Sequence, residues 1–299
     1  MELGQATPAP THTYGKLGAL QSRSLQTKIS HGLLHVLLVV LGVTFLVPFI
    51  WVASTSLKLP GQIFISPIEW IPKNPRWENY AELFTYLPFH RFILNSFFLA
   101  ILEASGAVIS STIVAYGISR IRWKGSGFVF ALVVATMLLP GVITLIPTFV
   151  LFKKLGWVGT YYPLWVPAWF GSAFFIFLMR QYMMTIPVEL DEAARIDGAS
   201  HFRILWQVIV PLCGPALATI ALFAVLGSYN SFMLPRIYIS QTSMYTIQLG
   251  LQLFQGRFGN FWHLVMAASM ISILPPIVLF FVAQKYFVQG IQLSGLAGR

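Results

Sequence analysis

The sequence predicts an all-α, polytopic membrane bundle of six transmembrane helices, with one short helix lying on the membrane surface. Three observations carry that fold class. Of 299 residues, 57% are hydrophobic and only 9% charged, against about 25% charged in soluble domains. Six apolar stretches are each long enough to cross a hydrocarbon core of about 30 Å. Between the fourth and fifth stands a compact charged segment, Glu192 to Pro211, that such an apolar chain has little other reason to carry.

The elements follow in order. Residues 1–30 hold Pro8, Pro10 and several Ser and Thr without apolar periodicity, and read as a mobile tail. The stretches are Gly32–Leu57, Phe92–Ser119, Phe128–Phe152, Tyr161–Met184, Gln207–Tyr229 and His263–Lys285. The first is too long for a signal-peptide core and lacks a small-residue cleavage site, so it reads as an anchor. The membrane domain thus covers 31–286, with a loop at 180–206 and a tail at 287–299. Pro140, Pro147, Pro163, Pro167, Pro275 and Pro276 imply kinked spans, tolerated where neighbouring helices satisfy the freed carbonyls. Two outer connections, Lys58–Arg91 and Pro235–Trp262, have a length that is often functional.

Orientation follows from Lys and Arg near the span ends. With the N-terminus inside, the inner segments hold Lys16, Arg23, Lys28, Arg120, Arg122, Lys124, Arg180, Arg195, Arg203, Lys285 and Arg299, which is 11 of the 19 basic residues. The short loop Arg120–Gly127, with three basic and no acidic residues, decides the matter. Both termini are expected in the cytoplasm. The net charge of +10 reflects this topology; nucleic-acid binding is excluded, because no basic run with interleaved aromatics lies outside the spans. The single cysteine, Cys213, excludes a disulfide and a cysteine-based metal site.

The loop 180–206 then lies inside. Pro187 suits a first helical turn, where its missing N–H is no loss. Glu189, Asp191 and Glu192 follow at the positive end of the helix dipole. Leu190, Ala193 and Ala194 fall at i, i+3 and i+4, one small apolar stripe. Gly198 ends the helix and Ser200 caps the next. On pattern alone this is either a docking element for a soluble partner or a surface-lying amphipathic loop.

Other residues carry chemistry less clearly. Glu103 lies about 11 residues into the second span, roughly 17 Å deep at 1.5 Å per residue. A charge there is expensive and faces a bundle interior or a cavity. It is either a pore-lining acid or a hydrogen-bonded packing residue. His35 and His263 stand near span ends and read as interfacial. Trp51, Trp70, Trp157, Trp165, Trp169 and Trp262 read first as an aromatic belt and only second as sugar-stacking platforms.

The run Glu192-Ala193-Ala194, three residues, Gly198, nine residues, then Val208-x-Val210-Pro211 resembles the EAA signature of permease subunits in bacterial ATP-binding-cassette (ABC) importers. That pattern usually ends I-x-L-P, and the two valines are conservative departures. Asn95-Ser96, Ala115-Tyr116-Gly117, Met137-Leu138-Leu139-Pro140-Gly141, Ile146-Pro147, Ile186-Pro187-x-Glu189-Leu190-x-Glu192 and Tyr286-Phe287-Val288-Gln289-Gly290 resemble the carbohydrate-uptake branch. Within it the chain is most similar to the shorter, inner permease of maltose and glycerol-phosphate systems. The resemblance covers most of the chain after about Trp77.

It implies the MetI-like fold of type I importers, with Glu189, Leu190, Glu192, Ala193, Ala194, Ile196 and Gly198 coupling to an ATPase. It implies as partners a second homologous permease in a heterodimer, an ABC ATPase dimer, an extracytoplasmic substrate-binding protein and membrane lipid. The place would be the bacterial or archaeal inner membrane and the cargo a sugar, oligosaccharide or polyol derivative. The chain has no G-x-x-x-x-G-K-[ST] phosphate loop, so ATP and Mg would bind the partner and this chain would carry no cofactor. Tyr229-Asn230-Ser231 stands where the branch often has Trp-Asn-Asp. Asn230 either bonds a sugar hydroxyl or caps its helix, with the cap favoured.

Two other classes share the architecture. A secondary transporter or channel needs its own ion pathway, and only Glu103 offers an intramembrane charge. A membrane-embedded enzyme wants paired carboxylates or a His cluster at one interface, and none is seen.

Overall fold

The computed structural model describes residues 15–256 and 261–296, with side chains described for 30–254 and 261–284. Two compact units divide the chain, Met1–Ser54 and Thr55–Arg299. Among the described residues every regular element is helical.

The first unit is the body of α1 (Gly15–Ser56). Helix therefore begins inside the segment expected as an N-terminal tail; residues 1–14 of that tail lie outside the described residues. From Ser30 to Ile50 every side chain is exposed, Leu, Val, Phe and Ile alike. A helix apolar all round is stable only where lipid or another chain covers it.

The second unit is built around α3 (Phe89–Ser119), which follows the short α2 (Glu78–Tyr86). Ala104 and Ala107 of α3 and Ala224 of α11 (Gly214–Tyr229) form a small-residue cluster at mid-span. In a bilayer, helices associate where small side chains let backbones approach, and α3 packs on α11 along this stripe.

The third expected span is two helices, α4 (Ser126–Thr136) and α5 (Gly141–Lys154), bent by 97° at the break. The fifth is likewise broken, by 82° between His201–Leu212 and α11. A kink was the expectation in the third span, at Pro140, and none was expected in the fifth. Pro140-Gly141 and Gly214-Pro215 are the local reasons, since proline removes an intrahelical hydrogen bond and glycine adds backbone freedom. The fourth span runs through α6 (Tyr162–Trp165), a 3₁₀ stretch Val166–Phe170 and α7 (Ala173–Met183). Here Trp169 leans on α3, its indole N–H donating to the Leu102 carbonyl at 3.1 Å.

After α7 come α8 (Glu189–Ile196), α9 (His201–Arg203), a π-helical turn Ile204–Ile209 and α10 (Val210–Leu212). Beyond α11 lie α12 (Met233–Tyr238), α13 (Ile247–Gly256) and α14 (Trp262–Leu296). Both connections expected as outer loops thus hold helix, α2 in one and α12 with α13 in the other. The last span starts one residue before His263, which is buried within the chain. The segment 287–299, expected as a tail, continues α14 in its backbone to Leu296, and its side chains lie outside the described residues.

Two further apolar cores sit at opposite ends of α3. At the Phe89 end, Leu83, Phe89, Phe92, Tyr229, Ile247, Phe254 and Leu264 are buried together. At the Ser119 end, Ala115, Tyr116, Met179, Met183, Ile204, Ile209 and Ile220 form the other. That second core is the platform on which α8 rests.

Candidate coupling site

The helix α8 forms because both its ends are written locally. Val188 is its N-cap, and the Val188 carbonyl accepts from the backbone N–H of Asp191 at 3.0 Å and Glu192 at 3.2 Å. Pro187 stands just before that cap rather than in the first turn, since the residue preceding the helix start carries the break. Three carboxylates fill the first turn and Arg195 the last, each favourable to the dipole. At the other end the Ala199 N–H donates to the Ala194 carbonyl at 2.9 Å, and the Gly198 N–H to the Arg195 carbonyl at 2.9 Å. This pair of bonds is a Schellman ending. It requires Gly198 in the left-handed region, at φ +80. Ser200 then accepts from the Arg203 N–H at 3.4 Å and starts the next helix.

At 100° per residue, Asp191 and Ala194 fall on one side of α8, and Glu189, Glu192, Ala193 and Ile196 on the other. Burial follows this division. The Asp191 carboxylate lies 3.0 Å from the Arg120 guanidinium, and the two side chains are 3% and 5% exposed. Arg120 is the C-cap of α3, and its Nη2 also donates to the Ile186 carbonyl at 2.7 Å. One guanidinium therefore holds both the helix and the segment leading into it against α3. Ala194 and Ala199 pack half-buried on the core beneath. Ala194 was expected on the outward stripe; its position opposite Ile196 turns it inward.

The other face has no such cover. Ile196 is 87% exposed, and Val188 and Leu190 are exposed with it. Glu192 comes no closer than 4.0 Å to Arg122, both open to solvent, a pair of the kind worth about 0–1 kcal/mol.

The remaining candidates lie elsewhere. Glu103 is half-buried on α3, beside Ser228 of α11. Asn230 is the exposed C-cap of α11, with its backbone N–H donating to the Leu226 carbonyl at 3.1 Å. Neither joins the α8 site. The sequence reading missed Arg120 and Asp191 as a pair, counting one for topology and the other for the dipole. Helical phase alone placed Asp191 opposite Ile196, and that was the available signal.

Residues 107–293 match the family of binding-protein-dependent transport system inner membrane components. The chain belongs to that family. It is 32% identical over 260 residues to the sulfoquinovosyl glycerol transport system permease protein SmoH of Agrobacterium fabrum, covering 87% of this chain and 91% of that one. It is 33% identical over 265 residues to the trehalose/maltose transport system permease protein MalG of Thermococcus litoralis, covering 87% and 94%. A chain in the crystal structure of a bacterial ABC transporter that imports the acidic polysaccharide alginate superposes with a TM-score of 0.77 at 24% identity, covering 94% and 100%. The fold is therefore the MetI-like importer fold, and the chain is an ABC importer permease subunit of the inner membrane, with ATP hydrolysis supplied by a separate subunit. The alternatives of channel, secondary transporter and membrane enzyme fall away.

Proposed function

We propose that this permease forms half of the translocation path for a sugar, oligosaccharide or polyol derivative, and that α8 couples it to an ATPase dimer holding ATP and Mg. The observation that carries the coupling is the division of α8. Its inner face is fixed by a buried ion pair, while Glu189, Glu192, Ala193 and Ile196 stand outward. A helix made rigid from behind and left apolar in front fits a cleft in a partner. Glu192 offers a carboxylate for a charge-assisted hydrogen bond to a basic residue there. ATP-driven closure of the ATPase dimer then moves α8 as a handle, and Arg120 passes the motion to α3. The cargo class rests on what the relatives named above carry.

The same reading places both termini in the cytoplasm and a second homologous permease beside this one. The exposed apolar length of α1 supports a membrane surround shared between lipid and that partner. An extracytoplasmic binding protein would meet the connections at the Phe89 end of α3. Glu103, beside Ser228, faces the bundle interior in this reading, so Glu103→Gln should lower uptake while assembly persists. Unchanged uptake would leave Glu103 a packing residue.

The direct experiment is Glu192→Lys in the assembled importer. The variant should insert normally but lose ATPase on purification, or hydrolyse ATP without uptake. Normal uptake with normal ATPase retention would overturn the coupling assignment.

A further inference from the structure

The Ser119 end of α3 holds a feature that coupling does not use. The turn from α3 into α4 and the end of α7 line an open depression of about 540 Å³. Three of its lining side chains are cations, Arg122, Lys124 and Arg180, and none is a carboxylate. Ser126, the first residue of α4, also lines it, so the positive end of that helix dipole adds to the field.

Arg180 is the unusual member. Its guanidinium carbon lies 3.8 Å from the centroid of the Phe130 ring. Its Nε is buried and has no hydrogen-bond partner among the described residues. Stacking occupies the face of a guanidinium and leaves its in-plane donors for an acceptor, and the fork suits a phosphate. The buried Nε is closed off, so it is the outer end of the guanidinium that an anion here would meet.

The level in the membrane narrows the anion. Arg180 lies close to the end of the fourth span, within Tyr162–Met183, where a long basic side chain reaches the headgroup layer. Trp123 lines the same depression, exposed, with its indole N–H on the Gly117 carbonyl at 2.9 Å. Such a tryptophan suits the boundary between acyl chains and water. On α4, Phe128 and Leu132 are exposed four residues apart, hence on one face, an apolar surface of the kind acyl chains cover. Basic pockets between spans on the cytoplasmic side bind anionic headgroups.

We propose that this depression binds the phosphate of an anionic phospholipid headgroup through Lys124 and Arg180, with Arg122 at its rim. The site rests on the placement of the spans in a bilayer and is independent of α8 docking.

The test is native mass spectrometry of the complete importer taken from phosphatidylcholine bilayers containing a minor share of phosphatidylglycerol. Arg122 is left intact because it also faces Glu192. The unaltered complex should retain phosphatidylglycerol selectively. Lys124→Gln should lower that retention about fivefold, and Lys124→Gln with Arg180→Gln further. Excess inorganic phosphate should not displace the lipid. Lys124 is exposed, so the single variant decides the matter if the double one fails to assemble. Equal retention in the unaltered and substituted complexes would overturn the site. So would displacement by inorganic phosphate, which would assign it to a soluble anion, and so would retention that appears only once the ATPase is removed.

Discussion

The two ends of α3 are built on different principles. At the Phe89 end the chain closes on itself. Asn95 donates to the carbonyls of Ser243 at 3.0 Å and Tyr245 at 2.9 Å, and the Ile247 N–H donates to the Ser96 hydroxyl at 2.8 Å. These bonds hold the entry to α13, and Gly250 on α13 lies so close to the Phe92 ring that a Cβ has no room. At the Ser119 end one ion pair fixes α8 from behind and its front is open. The first end ties distant segments together through backbone groups and buries Phe89, Phe92 and Phe254 among them. The second leaves Ile196 and Glu192 for another molecule. The difference teaches where the chain fixes its own segments and where it leaves a helix face open for another molecule.

The comparison breaks most sharply at the ion pair. Removing one partner strands the other charge in a buried site, at a cost of about 3–5 kcal/mol, whereas an apolar pair of similar size is often neutral. Asp191→Ala should therefore strongly lower the thermal unfolding midpoint of the detergent-purified permease. Asp191→Leu combined with Arg120→Met should largely restore it. If the single change is as mild as the double, Arg120 does not anchor α8.

The Phe89 end is tested by overpacking. Gly250→Leu forces a side chain into the space of Phe92, and such insertions cost about 1–3 kcal/mol. The same unfolding assay should show a loss of that size with ATPase retention unaffected. Loss of ATPase without loss of stability would reverse the roles assigned to the two ends.

Gly198 separates conformation from contact. A Cβ there meets no atom within 4 Å, so the penalty comes from φ +80 alone. Gly198→Val should cost about 1–2 kcal/mol in the left-handed region and damage transport more than Ser200→Ala, a lost cap of about 1 kcal/mol. Equal and mild effects in an uptake assay would show that the turn does not set the pose of α8.

What the sequence disclosed follows the same division between local and distant. The ending of α8 at Gly198 and the cap at Ser200 were legible because capping depends on a few neighbouring residues. The six apolar stretches were legible because hydropathy reports composition. The kink at Pro140 was legible but its size of 97° was not, and the 82° bend of the fifth span was missed, since an apolar run says nothing of direction. Nor was the Arg120 clamp, whose hydrogen bond to Ile186 joins residues 66 positions apart. Asn95-Ser96 was noticed as a motif, but its work in holding residues 243–247 appears only once those segments meet.

The central claim is that the outer face of α8 serves a partner and not the fold. Ile196→Asp tests it most directly, with thermal unfolding and ATPase retention measured on one preparation. At 87% exposure the side chain holds up little of its own chain, so stability should change by no more than about 0.5 kcal/mol, while the ATPase is lost or uncoupled from uptake. Full ATPase retention with normal coupled uptake would contradict the account.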